Sequence, residues 1–130
     1  MKRNLWLGVG LQTAVSAGDL AEAIAAVLHQ TQLDKTQIAG IATIASKNHH
    51  PAIQALVAQY AWQLRTFEPA ELAAITVPSP SIAVQTQVAT ASVAEAAAIA
   101  AARGALIWPK QIQRRSSGFV TWAIAAEFEV

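Results

Sequence analysis

The sequence predicts an α/β protein: three layers, α/β/α, on a mostly parallel mixed sheet that closes with an antiparallel C-terminal hairpin. Three observations predict it. Short apolar runs rich in β-branched residues alternate with stretches of helical periodicity. Alternation of that kind builds parallel strands covered on both faces. The last two apolar runs, Ala105–Trp108 and Phe119–Ala126, are joined by a polar loop with the turn residues Ser116-Ser117-Gly118, so they are expected to form the hairpin.

The elements follow in order. Leu5–Val9 is a short apolar run ending in glycine, which suits a buried strand. Ser16 with Asp19 three residues on resembles a capping box, and Leu20, Ile24, Val27 and Leu28 recur at helical spacing, so a helix is expected from Ala17 to about Gln30. Ile38–Ile44 reads as the second strand. Pro51 suits a helix's first turn, where its missing N–H costs nothing, and Ile53, Leu56, Val57 and Tyr60 form that helix's apolar stripe. Gln63–Phe67 is a brief third strand, and Pro69–Ile75 a short helix. Pro78 and Pro80 force an extended segment. Ser81 is placed to cap a short helix over Ile82–Val88. Ser92 with Glu95 forms a capping box for a helix running to Arg103, with Gly104 as its left-handed terminator.

With 130 residues the chain, residues 1–130, is expected to be one domain. The absence of cysteine excludes a disulfide framework, a thiolate zinc site and a cysteine nucleophile. A net charge of +1, with only Lys110, Arg114 and Arg115 clustered, argues against a nucleic-acid partner. Met1-Lys2-Arg3 before Leu5-Trp6-Leu7 is too short a beginning for a signal peptide, and the alanine run at Ala96–Ala102 falls far below the roughly 20 apolar residues of a membrane span. No membrane association and a cytoplasmic location are expected.

In open α/β sheets ligands collect beyond the carboxyl ends of the parallel strands. Four loops qualify: Gly8–Ser16, Ala45–His50, Thr76–Ser81 and Pro109–Arg115. Gly8-Val9-Gly10 lacks the third glycine of a dinucleotide fingerprint, since Thr13 stands there, and its glycines read as a tight turn after the strand. Lys47-Asn48-His49-His50 could aim a cation and imidazoles at carboxylates. No acidic residue lies nearby to orient an imidazole on a metal, so no metal site is expected. Lys110 follows Pro109 at an expected strand end and would present a point charge over the sheet edge. Glu95 reads mainly as a capping residue. No nucleophile, base and orienting group can be assembled.

The ordered landmarks, from Gly8-Val9-Gly10 and Ala42-Thr43-Ile44-Ala45-Ser46-Lys47 through Phe67, Glu71-Leu72, Val77-Pro78-Ser79-Pro80-Ser81, Ser92-Val93-Ala94-Glu95 and Pro109-Lys110 to Val120-Thr121-Trp122-Ala123-Ile124-Ala125, resemble those of the CobE/CbiG C-terminal domain family. The resemblance covers about residues 4–126. It implies a role in cobalamin (vitamin B12) biosynthesis, with a corrinoid or precorrin bound through its carboxylates. Ligand-binding residues would be Gly10, Thr13, Lys47, His50, Ser79, Ser81, Ser92 and Lys110. No cofactor is implied, and cobalt would enter only inside a bound corrinoid. Other pathway enzymes are conceivable partners. In CbiG the full protein resembles a hydrolase acting on the ring-A lactone of cobalt-precorrin-5A. An enzymatic alternative therefore makes the chain a component of such a hydrolase, with His50 or Glu95 as acid–base. A further alternative is an interaction module for another pathway enzyme. Two departures stand out. Family members typically follow Gly-x-Gly with Cys-Arg-Arg-Gly, where this chain has Leu11-Gln12-Thr13-Ala14, and they usually carry a glutamate where His50 stands. The cationic first loop is therefore lost, which implies weaker binding or a different ligand form.

Overall fold

Leu5–Leu11 (β1) is buried along its whole length because it is the middle strand, with neighbours on both edges and helices on both faces. The structure, a computed structural model, describes residues 4–75 and 93–128. The helix expected over Ile82–Val88 and the extended Val77–Pro80 segment lie outside them. In chain order the elements are β1, α1 (Ala17–Thr31), β2 (Ile38–Ile44), α2 (Pro51–Tyr60), β3 (Gln63–Phe67), α3 (Pro69–Ala73), α4 (Val93–Ala102), β4 (Gly104–Arg115) and β5 (Gly118–Glu127). The sheet order is β3-β2-β1-β5-β4. β1, β2 and β3 run parallel, while β5 is antiparallel to both β1 and β4, so the mixed α/β class holds.

Period-two alternation sorts the side chains of β1 and β5 into two cores. Leu5, Leu7, Val9 and Leu11 join Val120, Trp122 and Ile124 under α1 and α2, whose Leu20, Ile24, Ile53 and Leu56 complete that layer. Trp6 and Ala125 join Leu72 of α3 and the alanines of α4 on the other face. Small residues let α4 sit close to the sheet. Gly8 shows how close: a Cβ there would lie 1.8 Å from the Ala94 carbonyl oxygen and 2.9 Å from the Ala98 nitrogen. The expectation that Gly8 and Gly10 make a tight turn is thus corrected. Both lie inside β1, which runs on to Leu11, and Gly8 is required by the helix above it.

α1 starts as expected, with the Ser16 hydroxyl accepting from Asp19 N–H, and runs through Thr31. The expected terminator of α4 is corrected. Arg103, with φ 49°, is the left-handed residue, and Gly104 already begins β4. Gln32 and Ala61 end α1 and α2 in the same way, with φ 58° and 56°.

The loop expected over Pro109–Arg115 is also corrected: β4 continues as a strand to Arg115, leaving a two-residue turn, Ser116-Ser117, before β5. Proline is tolerated here because β4 is an edge strand. Pairing with β5 slips between Leu106 and Trp108 and again between Trp108 and Gln111. In that irregular stretch the Lys110 N–H turns to the Glu95 carboxylate, 2.8 Å away. The hairpin is anchored to α1 through Asp19. Its carboxylate accepts from the Ser117 hydroxyl, from the Ser117 N–H at 2.9 Å and from the Ser116 hydroxyl at 3.3 Å.

Candidate functional site

A cleft of about 290 Å³ opens where β1 and β2 end, lined by Gly10, Leu11, Gln12, Thr13, Thr43, Ile44, Ser46 and Lys47. This is the carboxyl edge of the parallel strands, where backbone N–H groups and loop side chains are free of the sheet ladder. Three expected ligand-binding residues, Gly10, Thr13 and Lys47, meet in it.

The walls are fixed from both sides of β1. Thr43 and Thr121 flank the strand's end, and their hydroxyls donate to the Val9 and Gly10 carbonyls at 2.7 and 3.2 Å. The loop after β1 is pinned at Gln12, whose side-chain oxygen accepts from Phe119 N–H at 3.1 Å. The chain then turns back, with Val15 N–H bonding the Gln12 carbonyl at 3.2 Å, so that Val15 enters the core. After β2, a single 3₁₀ turn at Ala45–Lys47 lifts Lys47 over the edge, where its ammonium donates to the Thr13 hydroxyl at 3.1 Å. Lys47 carries no carboxylate within 4.0 Å among the described residues, where Arg115–Glu22 is the sole ion pair.

His50 takes a different position from the one a ligand contact requires. It is buried, with 8% of its surface exposed, and does not line the cleft. Its Nδ1 accepts from Ala52 N–H at 3.1 Å, capping α2. That acceptor role puts the proton on Nε2, which donates to the carbonyls of Thr13 and Gln12 at 3.1 and 3.3 Å. His50 therefore ties the first loop to the second and sets where Thr13 stands. His49 is exposed, and no cluster of three metal-ligating side chains occurs among the described residues.

Lys110 and Glu95 belong to the β4 side of the molecule. Lys110 lies within β4, short of the hairpin turn, and does not line the cleft; the Glu95 carboxylate is fully buried against its N–H. Ser79, Ser81 and Ser92 lie outside the described residues. Residue patterns missed Gln12, Thr43 and Ser46. Thr43 and Ile44 carry a readable signal, since the last residues of a parallel strand always reach this edge. Gln12 carries none, because its role depends on the return of β5.

No helix among the described residues is long and apolar enough to cross a membrane. The sequence profile of the family described as cobalamin synthesis G C-terminus matches residues 5–125. No functionally curated protein matches the chain. Among solved structures, CobE, a protein from the cobalamin (vitamin B12) biosynthetic pathway, superposes with a TM-score of 0.80 at 25% identity, over 97% of this chain and 95% of CobE. A cobalamin biosynthesis protein G homologue from Sulfolobus solfataricus matches with a TM-score of 0.73 at 21% identity, over 96% of this chain but 37% of its own. Cobalamin biosynthesis protein chiG from Agrobacterium tumefaciens str. C58 matches with a TM-score of 0.70 at 20% identity, over 96% and 99% of the two chains. The last two likenesses concern the fold.

Proposed function

The chain belongs to the cobalamin synthesis G C-terminus family, and from that premise we propose that it binds a corrinoid or precorrin intermediate of cobalamin biosynthesis by the acetate and propionate groups at the ring's edge. The observation that carries this reading is Lys47, an ammonium held by Thr13 in the cleft at the ends of β1 and β2, with no carboxylate within 4.0 Å among the described residues. A charge-assisted hydrogen bond from that ammonium to a ligand carboxylate is the strongest polar contact the cleft can offer. Thr13 and Ser46 add hydroxyl donors, and Leu11 and Ile44 supply apolar wall.

Size decides how much of the ligand enters. Pockets that enclose whole drug-sized molecules span roughly 300–1,000 Å³. A cleft of about 290 Å³ would accept one or two ring substituents and leave the macrocycle lying across the loops. The resemblance implies arginines where this chain has Gln12 and Thr13, so Lys47 would carry a larger share of the electrostatic recognition here. Binding fits better than hydrolysis because both acid–base candidates are engaged with backbone groups: His50 through both ring nitrogens, and Glu95 with Lys110 N–H. A cytoplasmic location and contact with other enzymes of the pathway are parts of the same proposal.

The test is calorimetric titration with cobyrinic acid and with its heptamethyl ester, in which the carboxylates are neutral. The acid should bind saturably and the ester at least about tenfold more weakly, the loss expected for a charged hydrogen bond. Lys47→Ala should bring the acid down to the ester's affinity. Equal binding of acid and ester would remove the carboxylate from the account.

A further inference from the structure

A second and larger cleft, of about 620 Å³, lies on the α4 face of the sheet and shares no lining residue with the Lys47 cleft. It is lined by Arg65 and Phe67 of β3, by the last turn of α4 and Arg103, and by Glu127 and Phe128 at the end of β5. Arg65 is held in place: its guanidinium lies 4.4 Å above the Trp6 ring, and one NH₂ group donates to the Ala101 carbonyl at 2.9 Å. A guanidinium has five N–H donors, so this anchoring leaves others for a ligand. The Glu127 carboxylate accepts from the Trp6 indole N–H at 3.0 Å. Neither arginine lies within 4.0 Å of a carboxylate among the described residues. Phe128, 68% exposed, is a large apolar side chain at the mouth.

We propose that this cleft is a binding site for a flat, apolar molecule carrying a single carboxylate. The carboxylate pairs with Arg65 and Arg103, and the apolar body lies against Phe67 and Phe128. Planar guanidinium groups match a carboxylate's two oxygens. Among the described lining residues two guanidiniums face one carboxylate, which favours a monoanion, and Glu127 repels a second negative group. The volume falls within the range of sites that enclose small organic ligands. The site stands independently of the Lys47 cleft.

The probe is 2-naphthoate, with neutral 2-naphthamide as its partner, followed by chemical-shift titration of the ¹⁵N-labelled chain. Naphthoate should bind saturably, with the largest shifts at Arg65, Arg103 and Phe128, and naphthamide about tenfold more weakly. Arg103→Gly is the decisive variant. At φ 49° glycine relieves backbone strain, so the protein should melt at the same or a higher temperature while losing about tenfold in naphthoate affinity. Lys47→Ala should bind the probe as the wild type does. The proposal is overturned if naphthoate fails to saturate, if naphthamide binds equally, if Arg103→Gly keeps wild-type affinity, or if Lys47→Ala loses it.

Discussion

Placing α4 directly on Gly8 makes a single methyl group a severe perturbation. In Gly8→Ala the new Cβ would begin 1.8 Å from the Ala94 carbonyl oxygen and 2.8 Å from its carbon, where real Cβ contacts almost never fall below 3.0 Å. The obstacle is backbone, with no side chain to rotate away, so α4 must retreat by about 1.2 Å. Retreat thins the packing of Ala97, Ala98 and Ala101 on Trp6 and Ala42, and stretches the 2.8 Å bond from Lys110 N–H to Glu95. Overpacking of this kind costs about 1–3 kcal/mol, and a weakened buried hydrogen bond adds about 1–2 kcal/mol. Reduced freedom of the unfolded chain returns only about 0.4–1 kcal/mol. The net loss is about 3 kcal/mol, or roughly 10 °C in Tm for a domain of this length. Thermal and guanidinium unfolding followed by circular dichroism would measure it. Gly18→Ala is the control: nothing lies within 4 Å of its Cβ in α1, so it should gain about 0.5–1 kcal/mol. A Gly8→Ala protein within about 0.5 kcal/mol of wild type would refute the packing argument.

Three other perturbations follow from the same contacts. Glu95→Ala strands the Lys110 N–H and leaves a hole in a fully buried position, so unfolding should cost about 2–4 kcal/mol less, while Glu95→Gln, which keeps an acceptor, should recover part of the loss in denaturant titration. His50→Ala removes the cap of α2 and the tie to the first loop, for a loss of about 2 kcal/mol, and His50→Asn should restore the cap alone; the two variants' Tm values separate the roles. Asp19 is held below its ordinary value of 3.8, first by the Ser117 hydroxyl and then by the Ser117 N–H. Its folded pKa is thus lower than its unfolded one, so its contribution is complete above the unfolded value and disappears as pH falls through the folded one. Denaturation midpoints measured downward from about pH 6 should decline more shallowly below about pH 4 in Asp19→Asn than in the wild type, and parallel curves would contradict the hydrogen-bond assignment.

The fold's legibility followed the range of its signals. α1, α2 and the first three strands announced themselves through local periodicity and through Ser16 and Pro51, which act within one turn of their own position. β4 was misread because Pro109, Lys110 and the paired arginines look like a loop, whereas an edge strand accepts a proline and a side chain from α4 satisfies the N–H that β5 does not. Gly104 advertised a helix end one residue late, since Arg103 itself takes the left-handed conformation. At the candidate site, Thr13 and Lys47 were accessible from the rule that parallel strands expose their carboxyl ends. The direction of His50 was not, because its partners are carbonyls 37 and 38 positions away. Gly8 could be seen as special only once α4 was in place.

The proposed function turns on the Lys47 ammonium receiving a carboxylate of a corrinoid. The most direct measurement is a crystal structure of the chain with cobyrinic acid. A ring-edge carboxylate should lie about 3 Å from Lys47 Nζ and within reach of the Thr13 hydroxyl, with the macrocycle outside the cleft. A corrinoid seated elsewhere on the molecule, with Lys47 still bonded only to Thr13, would contradict it.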